Sequence, residues 1–140
     1  MQESYLQLEM MRSAVAEEGI KMKIAVTSLG KDLSSQVDPR FGRAAYVVVV
    51  DSDTNDFQVI DNSANVNAMK GAGIQAASNV VNSGAEVLLT GHCGPNAFKA
   101  LQAGKVAVSN NASGTVGEAV KSYLGGKLPH ADGANVEGHW

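Results

Sequence analysis

Glu86-Val87-Leu88-Leu89-Thr90-Gly91-His92-Cys93-Gly94-Pro95-Asn96-Ala97-Phe98-Lys99-Ala100-Leu101 decides how this chain is read. Val87 to Leu89 is an apolar run of strand length, and Phe98 and Leu101 are spaced as the buried face of a helix. Pro95 sits well at the first helical position, where its missing N–H costs nothing. Strand, glycine loop and helix in that order are the unit of an α/β sheet. The loop also holds the only cysteine, with a histidine beside it. A thiolate and an imidazole placed there can ligate a metal or a metal–sulfur cluster. The same loop offers N–H groups at a helix start, which suits an anion.

The pattern extends in both directions. Upstream, Lys23 to Thr27 reads as a first strand, followed by a loop from Ser28 to Arg43. Ala44 to Val50 is β-rich and apolar on both faces, which predicts a central strand. Asp51 to Asp56 is a turn cluster and Phe57 to Ile60 a third strand, so the last two form an antiparallel hairpin. Asp61 to Lys70 is a polar loop. From Gly71 the period changes to that of a helix, with Ile74, Ala77, Val80 and Val81 on one face and Gly84 as its stop. Downstream, Gly104 ends the second helix and Val106 to Val108 is a fifth strand. Thr115-Val116-Gly117-Glu118 matches a capping box, opening a helix with Val116, Val120 and Leu124 inward. The order is β-β-β-α-β-α-β-α, which predicts a mixed sheet of five strands with helices on its faces.

Composition narrows the function. The chain has 140 residues, enough for one domain with a real core. A net charge of -3, with 11 scattered basic residues, argues against sequence-independent nucleic-acid binding. One cysteine rules out an internal disulfide and fits a reducing compartment. No run approaches the length of a membrane span, and Glu3 and Glu9 fall where a signal peptide would be basic and apolar. The expected location is the cytoplasm, with no membrane partner. Residues 1–21 read as an extension, helical or disordered, with Leu8, Met11 and Val15 at helical spacing. Met22-Lys23-Ile24-Ala25-Val26 looks like a natural start. The tail from residue 129, with His130, His139 and Trp140, reads as flexible.

The chemistry is concentrated in two loops. One cysteine and one adjacent histidine cannot close a structural zinc shell, which needs about four ligands. Adjacent loop residues also make a poor catalytic Cys–His pair. One soft ligand to a sulfide-rich cluster stays open, as does a small, half-buried thiol at a strand end. In Asp38-Pro39-Arg40-Phe41-Gly42-Arg43-Ala44, two arginines flank a Phe-Gly turn. Arginine suits an oxyanion or an anionic cluster, and the plainer reading is an Asp38–Arg40 surface pair that pins a turn. This loop leaves strand one at its carboxyl end, and the His92–Cys93 loop leaves strand four likewise. If those strands are parallel neighbours, the loops meet and form a crevice. Lys70-Gly71-Ala72-Gly73 could also cradle an anion, but it is no dinucleotide fingerprint. Asp51, Asp53, Asp56 and Asp61 fail the calcium-loop pattern.

Met22 to Val26, Asp38-x-Arg40-Phe41-Gly42-Arg43-Ala44, Gly71-x-Gly73, Gly91-x-x-Gly94-Pro95-Asn96-Ala97 and Ala112-Ser113-Gly114-Thr115-Val116 follow one another in order. In combination they resemble the dinitrogenase iron–molybdenum cofactor biosynthesis family, with its NifX-like and NafY-like carriers and the C-terminal domain of many NifB proteins. The resemblance covers residues 22–128. It implies a ribonuclease H-like α/β fold and binding of an iron–sulfur or iron–molybdenum cluster or its precursor. Nitrogenase-assembly proteins or other metalloproteins are the implied partners. Strand one carries no carboxylate, so two-metal nuclease chemistry is not expected. The expected activity is non-enzymatic carriage. Arg40, Phe41, Gly42, Arg43, Gly94 and Asn96 would bind the cluster, and His92 and Cys93 would ligate metal. A metal-free interaction module and a Cys-dependent enzyme are the alternatives. Metal content separates the first from a carrier, and thiol reactivity the second.

Overall fold

The structure, a computed structural model, describes residues 22–65 and 71–133. The extension 1–21 and residues 134–140 therefore lie outside the described residues. The strands are β1 (Lys23–Ser28), β2 (Tyr46–Asp51), β3 (Phe57–Asp61), β4 (Val87–Leu89) and β5 (Ala107–Ser109). The helices are α1 (Ala72–Asn82), α2 (Pro95–Ala103) and α3 (Val116–Leu124), with a 3₁₀ turn at Ser63–Asn65. The sheet order is β3-β2-β1-β4-β5. β1 pairs antiparallel with β2, Ser28 opposite Tyr46, and parallel with β4, Val26 opposite Leu89. β4 and β5 are also parallel, Leu89 beside Ser109. The result is the mixed α/β sheet that the element order predicts.

Alternation along the strands divides the core in two. Ala25, Val47, Val49, Leu88 and Val108 face α1 and α2, where they meet Ala76, Ala77, Val80, Ala97, Phe98 and Leu101. Ile24, Val26, Val48, Val50, Val87 and Leu89 face α3, where they meet Val116, Ala119 and Val120. Val47 to Val50 are all buried, as a strand covered on both faces requires. Each fully buried valine or leucine adds about 1.5–3 kcal/mol. β2 is nevertheless second from the edge, and β1 is the middle strand.

Two local expectations change. α1 buries Ala72, Ala76, Ala77 and Val80, while Ile74 is 49% exposed. The inward stripe of α1 is made of small residues, which lets it lie close to α2. At the far end, the expected loose tail begins with contacts to β5. Ala131 N–H donates to Val108 O at 2.6 Å, and the Ser109 hydroxyl lies 3.1 Å from the carbonyls of Leu128 and Pro129. Among the described residues, no helix is long and apolar enough to cross a membrane.

Candidate functional site

The parallel pairing of β1 with β4 brings the two expected loops together. His92 N–H donates to Pro39 O at 2.7 Å, and Phe41 N–H donates to His92 O at 3.1 Å. These bonds flank Arg40, which bridges His92 in parallel register. Beneath them, the Thr27 hydroxyl donates to Asp38 O at 2.6 Å and shares a 2.8 Å hydrogen bond with the Thr90 hydroxyl. Thr27 and Thr90 are fully buried. They pin the carboxyl ends of β1 and β4 under the junction.

Glycine is needed at two points. A Cβ on Gly91 would lie 2.7 Å from Pro39 Cα and 2.8 Å from its carbonyl oxygen, so only glycine lets the loops touch. Gly42 has φ 98°, a left-handed turn that a side chain resists. Its carbonyl and that of Ala44 accept from Asn62 Nδ2, at 3.2 and 2.8 Å. Asn62, buried at the end of β3, thus holds the turn that carries Arg43. Sequence reading missed it, because one asparagine in an Asn-rich loop gives no signal.

Asp38 is 1% exposed, and its Oδ1 accepts from Arg40 N–H at 3.0 Å and from Arg40 Nε at 3.3 Å. The Arg40 side chain is 45% exposed. The pair does pin the turn, although its acid is buried rather than at the surface. Phe41 is fully buried and packs in the same cluster as Cys93. It is the floor of the loop rather than its surface.

Cys93 is 0% exposed, and burial pushes its thiol up to about 12. Its Sγ lies 3.7 Å from Gly94 O. A cysteine nucleophile needs thiolate character, which this environment opposes. His92 is half-buried and closer to the surface. Among the described residues, no group of three or more His, Cys, Asp or Glu side chains could hold a metal ion.

Gly94 caps α2 in an extended conformation without a side-chain cap, and Pro95 follows. Phe98 N–H makes the first intrahelical bond, to Gly94 O at 2.9 Å. The N–H groups of Asn96 and Ala97 precede it, at the positive end of the helix dipole. The start of α3 differs. There Val116 and Gly117 N–H donate to Ser35 and Leu33 carbonyls at 2.9 Å, and Glu118 N–H to Thr115 Oγ1 at 3.1 Å. That helix start is filled by the chain itself. Lys70 lies outside the described residues.

Fold and site together define a small α/β domain with an arginine-bearing loop and a helix start meeting beyond the carboxyl ends of parallel strands. The chain belongs to the dinitrogenase iron–molybdenum cofactor family, whose model matches residues 22–126. The apo form of the orange protein from Desulfovibrio gigas is 48% identical, with a TM-score of 0.80 over 83% of this chain and 98% of that one. A NifB-like protein from Thermotoga is 35% identical, with a TM-score of 0.72 over 84% of this chain and 99% of its own. An uncharacterized protein of Methanocaldococcus jannaschii is 27% identical over 112 residues, 78% of this chain and 93% of that protein.

Proposed function

We propose that this protein is a non-enzymatic cytoplasmic carrier. Its cargo is an anionic metal–sulfide cluster of the iron–molybdenum or iron–sulfur type, or a precursor of one. The observation that carries the reading is the meeting of the 38–43 and 91–96 loops at the Arg40–His92 bridge. The family and the 48% identity to an orange protein solved in its apo form support it. Arg40 and Arg43 supply charge balance, which a guanidinium provides at any physiological pH. Gly94 and Asn96 supply backbone at the helix start, where N–H dipoles favour negative charge. Phe41 and Gly42 shape the arginine wall. Of the expected metal-ligand pair, the half-buried His92 is the more accessible to a bound metal, and Cys93 lies in the core cluster. The cargo passes to a nitrogenase-assembly protein or another metalloprotein.

The test is protein purified without oxygen, with iron, molybdenum and sulfide measured, and then reconstitution. Stoichiometric metal or a charge-transfer band on uptake is expected. His92→Ala and a combined Arg40→Gln, Arg43→Gln variant should each weaken uptake. Protein that carries no metal and takes up none would sink the reading in favour of an interaction module. A Cys93→Ala variant that alone abolishes uptake would overturn the division of roles between His92 and Cys93.

A further inference from the structure

The carboxyl ends of β1, β4 and β5 carry a polar row. Val26 stands beside Leu89, and Leu89 beside Ser109. The next residues are Thr27, Thr90 and Asn110. The main chain keeps them in step, since Thr90 N–H donates to Ser109 O at 3.0 Å. Val108 packs in the cluster that contains Cys93 and Ala97. The Ser109 hydroxyl turns the other way, to Leu128 and Pro129. Asn110 directly follows β5 and is half-buried, next to the turn that meets the 91–94 loop. The chain then turns at Asn111, with φ 67°, and is tied to that loop. Asn111 N–H donates to Gly91 O at 3.1 Å and Ala112 N–H to Thr90 O at 2.9 Å.

Thr27 and Thr90 satisfy one another, and Asn110 does not share in their bond. Among the described residues, its Oδ1 is buried without a hydrogen-bond donor. A buried acceptor left this way is costly, and native structures hold few of them. Rotating the terminal amide by half a turn replaces the oxygen with Nδ2 and its two N–H donors. The barrier is low, because that torsion is broad. An anion beside the 91–94 loop rewards the rotation, whereas an apolar guest does not.

Resting on the carrier reading, we infer that Asn110 is a binding residue of the crevice. Its side-chain amide donates to the anionic cargo from the β5 side and forms a third wall beside the arginine loop and the α2 start. The probe is tetrathiomolybdate, a molybdenum–sulfide dianion, titrated anaerobically into the full chain and followed by its charge-transfer absorption. Asn110→Leu should bind about tenfold more weakly, the loss expected of one hydrogen bond to a charged group. Its thermal unfolding should be unchanged or raised, since the orphan oxygen is gone. Asn110→Asp should bind more weakly still. In the wild-type ¹⁵N–¹H spectrum, the Asn110 side-chain amide pair, identified by its loss in Asn110→Leu, should shift on titration. Wild-type affinity in Asn110→Leu with an unmoved amide pair overturns this inference and leaves the carrier reading standing. Tighter binding by Asn110→Asp overturns it too, because the site would then favour a cation. No uptake by wild type overturns both.

Discussion

Cys93 shows how far one residue's surroundings govern its chemistry. Its thiol ionises near 9.0 in an open chain and only at about 12 in the fold, because burial penalises the thiolate. Between those values the unfolded state alone sheds the proton. The contribution to stability is therefore complete below pH 9 and is lost as pH rises toward 12. The difference in unfolding free energy between wild type and Cys93→Ala should be flat below pH 9 and shrink above it, measured by urea titration at each pH. A difference that stays flat to the alkaline end would mean that the thiol is not buried in solution. The same burial predicts slow alkylation of native protein at neutral pH and fast alkylation in denaturant. Arg40 makes a complementary point. Its backbone and guanidinium both rest on the Asp38 carboxylate, so removing the side chain leaves a buried acid with the main-chain bond but without its counter-charge. Arg40→Gln tests charge more cleanly than Arg40→Ala, because an amide can still donate to Asp38.

At the scale of elements, helix starts matter most. α3 opens with a complete capping box: Glu118 N–H donates to Thr115 Oγ1 at 3.1 Å, and Thr115 N–H to Glu118 Oε1 at 2.9 Å. The same end is bonded to the loop at residues 33–37, including Val37 N–H to Gly114 O at 2.9 Å. Thr115→Ala should cost about 1 kcal/mol. It should also raise hydrogen exchange at Val37, Val116 and Gly117, which a purely local cap would not do at Val37. This capping box was readable in the sequence, because Thr and Glu at that spacing have one common geometric use. The five strands were readable for a similar reason, as short apolar runs bounded by Gly, Asp and Asn. The inward face of α1 was not. Hydrophobicity favoured Ile74, but the face of α1 in the core with Phe98 and Leu101 is Ala76, Ala77 and Val80. The Asp38–Arg40 pair could be read from its spacing. The burial of Cys93, the Asn62 anchor and the Thr27–Thr90 contact depend on pairings between distant segments, which periodicity does not encode.

For the whole molecule, Gly91 is a place where the β1–β2 loop and the β4–α2 loop touch. Gly91→Ala puts a methyl group into Pro39 backbone, and backbone cannot swing aside as a side chain can. The expected cost is about 1–3 kcal/mol, as for overpacked cores. Because the methyl pushes the walls apart, uptake of a metal–sulfide probe should also fall at temperatures where the variant is fully folded. Stability and uptake both at wild-type levels would show that the loops do not meet in solution. The sheet's two ends also differ. β5 has Ala131 bonded along its outer side. β3 carries the exposed Phe57 and Val59 at the opposite edge.

The β1–β4 pairing has a consequence in time. β1, β2 and β3 are consecutive hairpin partners and can pair soon after they are made. Thr27 and Thr90, by contrast, are 63 positions apart. The arginine loop therefore exists in the growing chain long before the helix start it must face. A chain halted after its third strand has one wall and nothing opposite. The late pairing completes the junction of the two loops, so only a finished chain can present both walls of the proposed site.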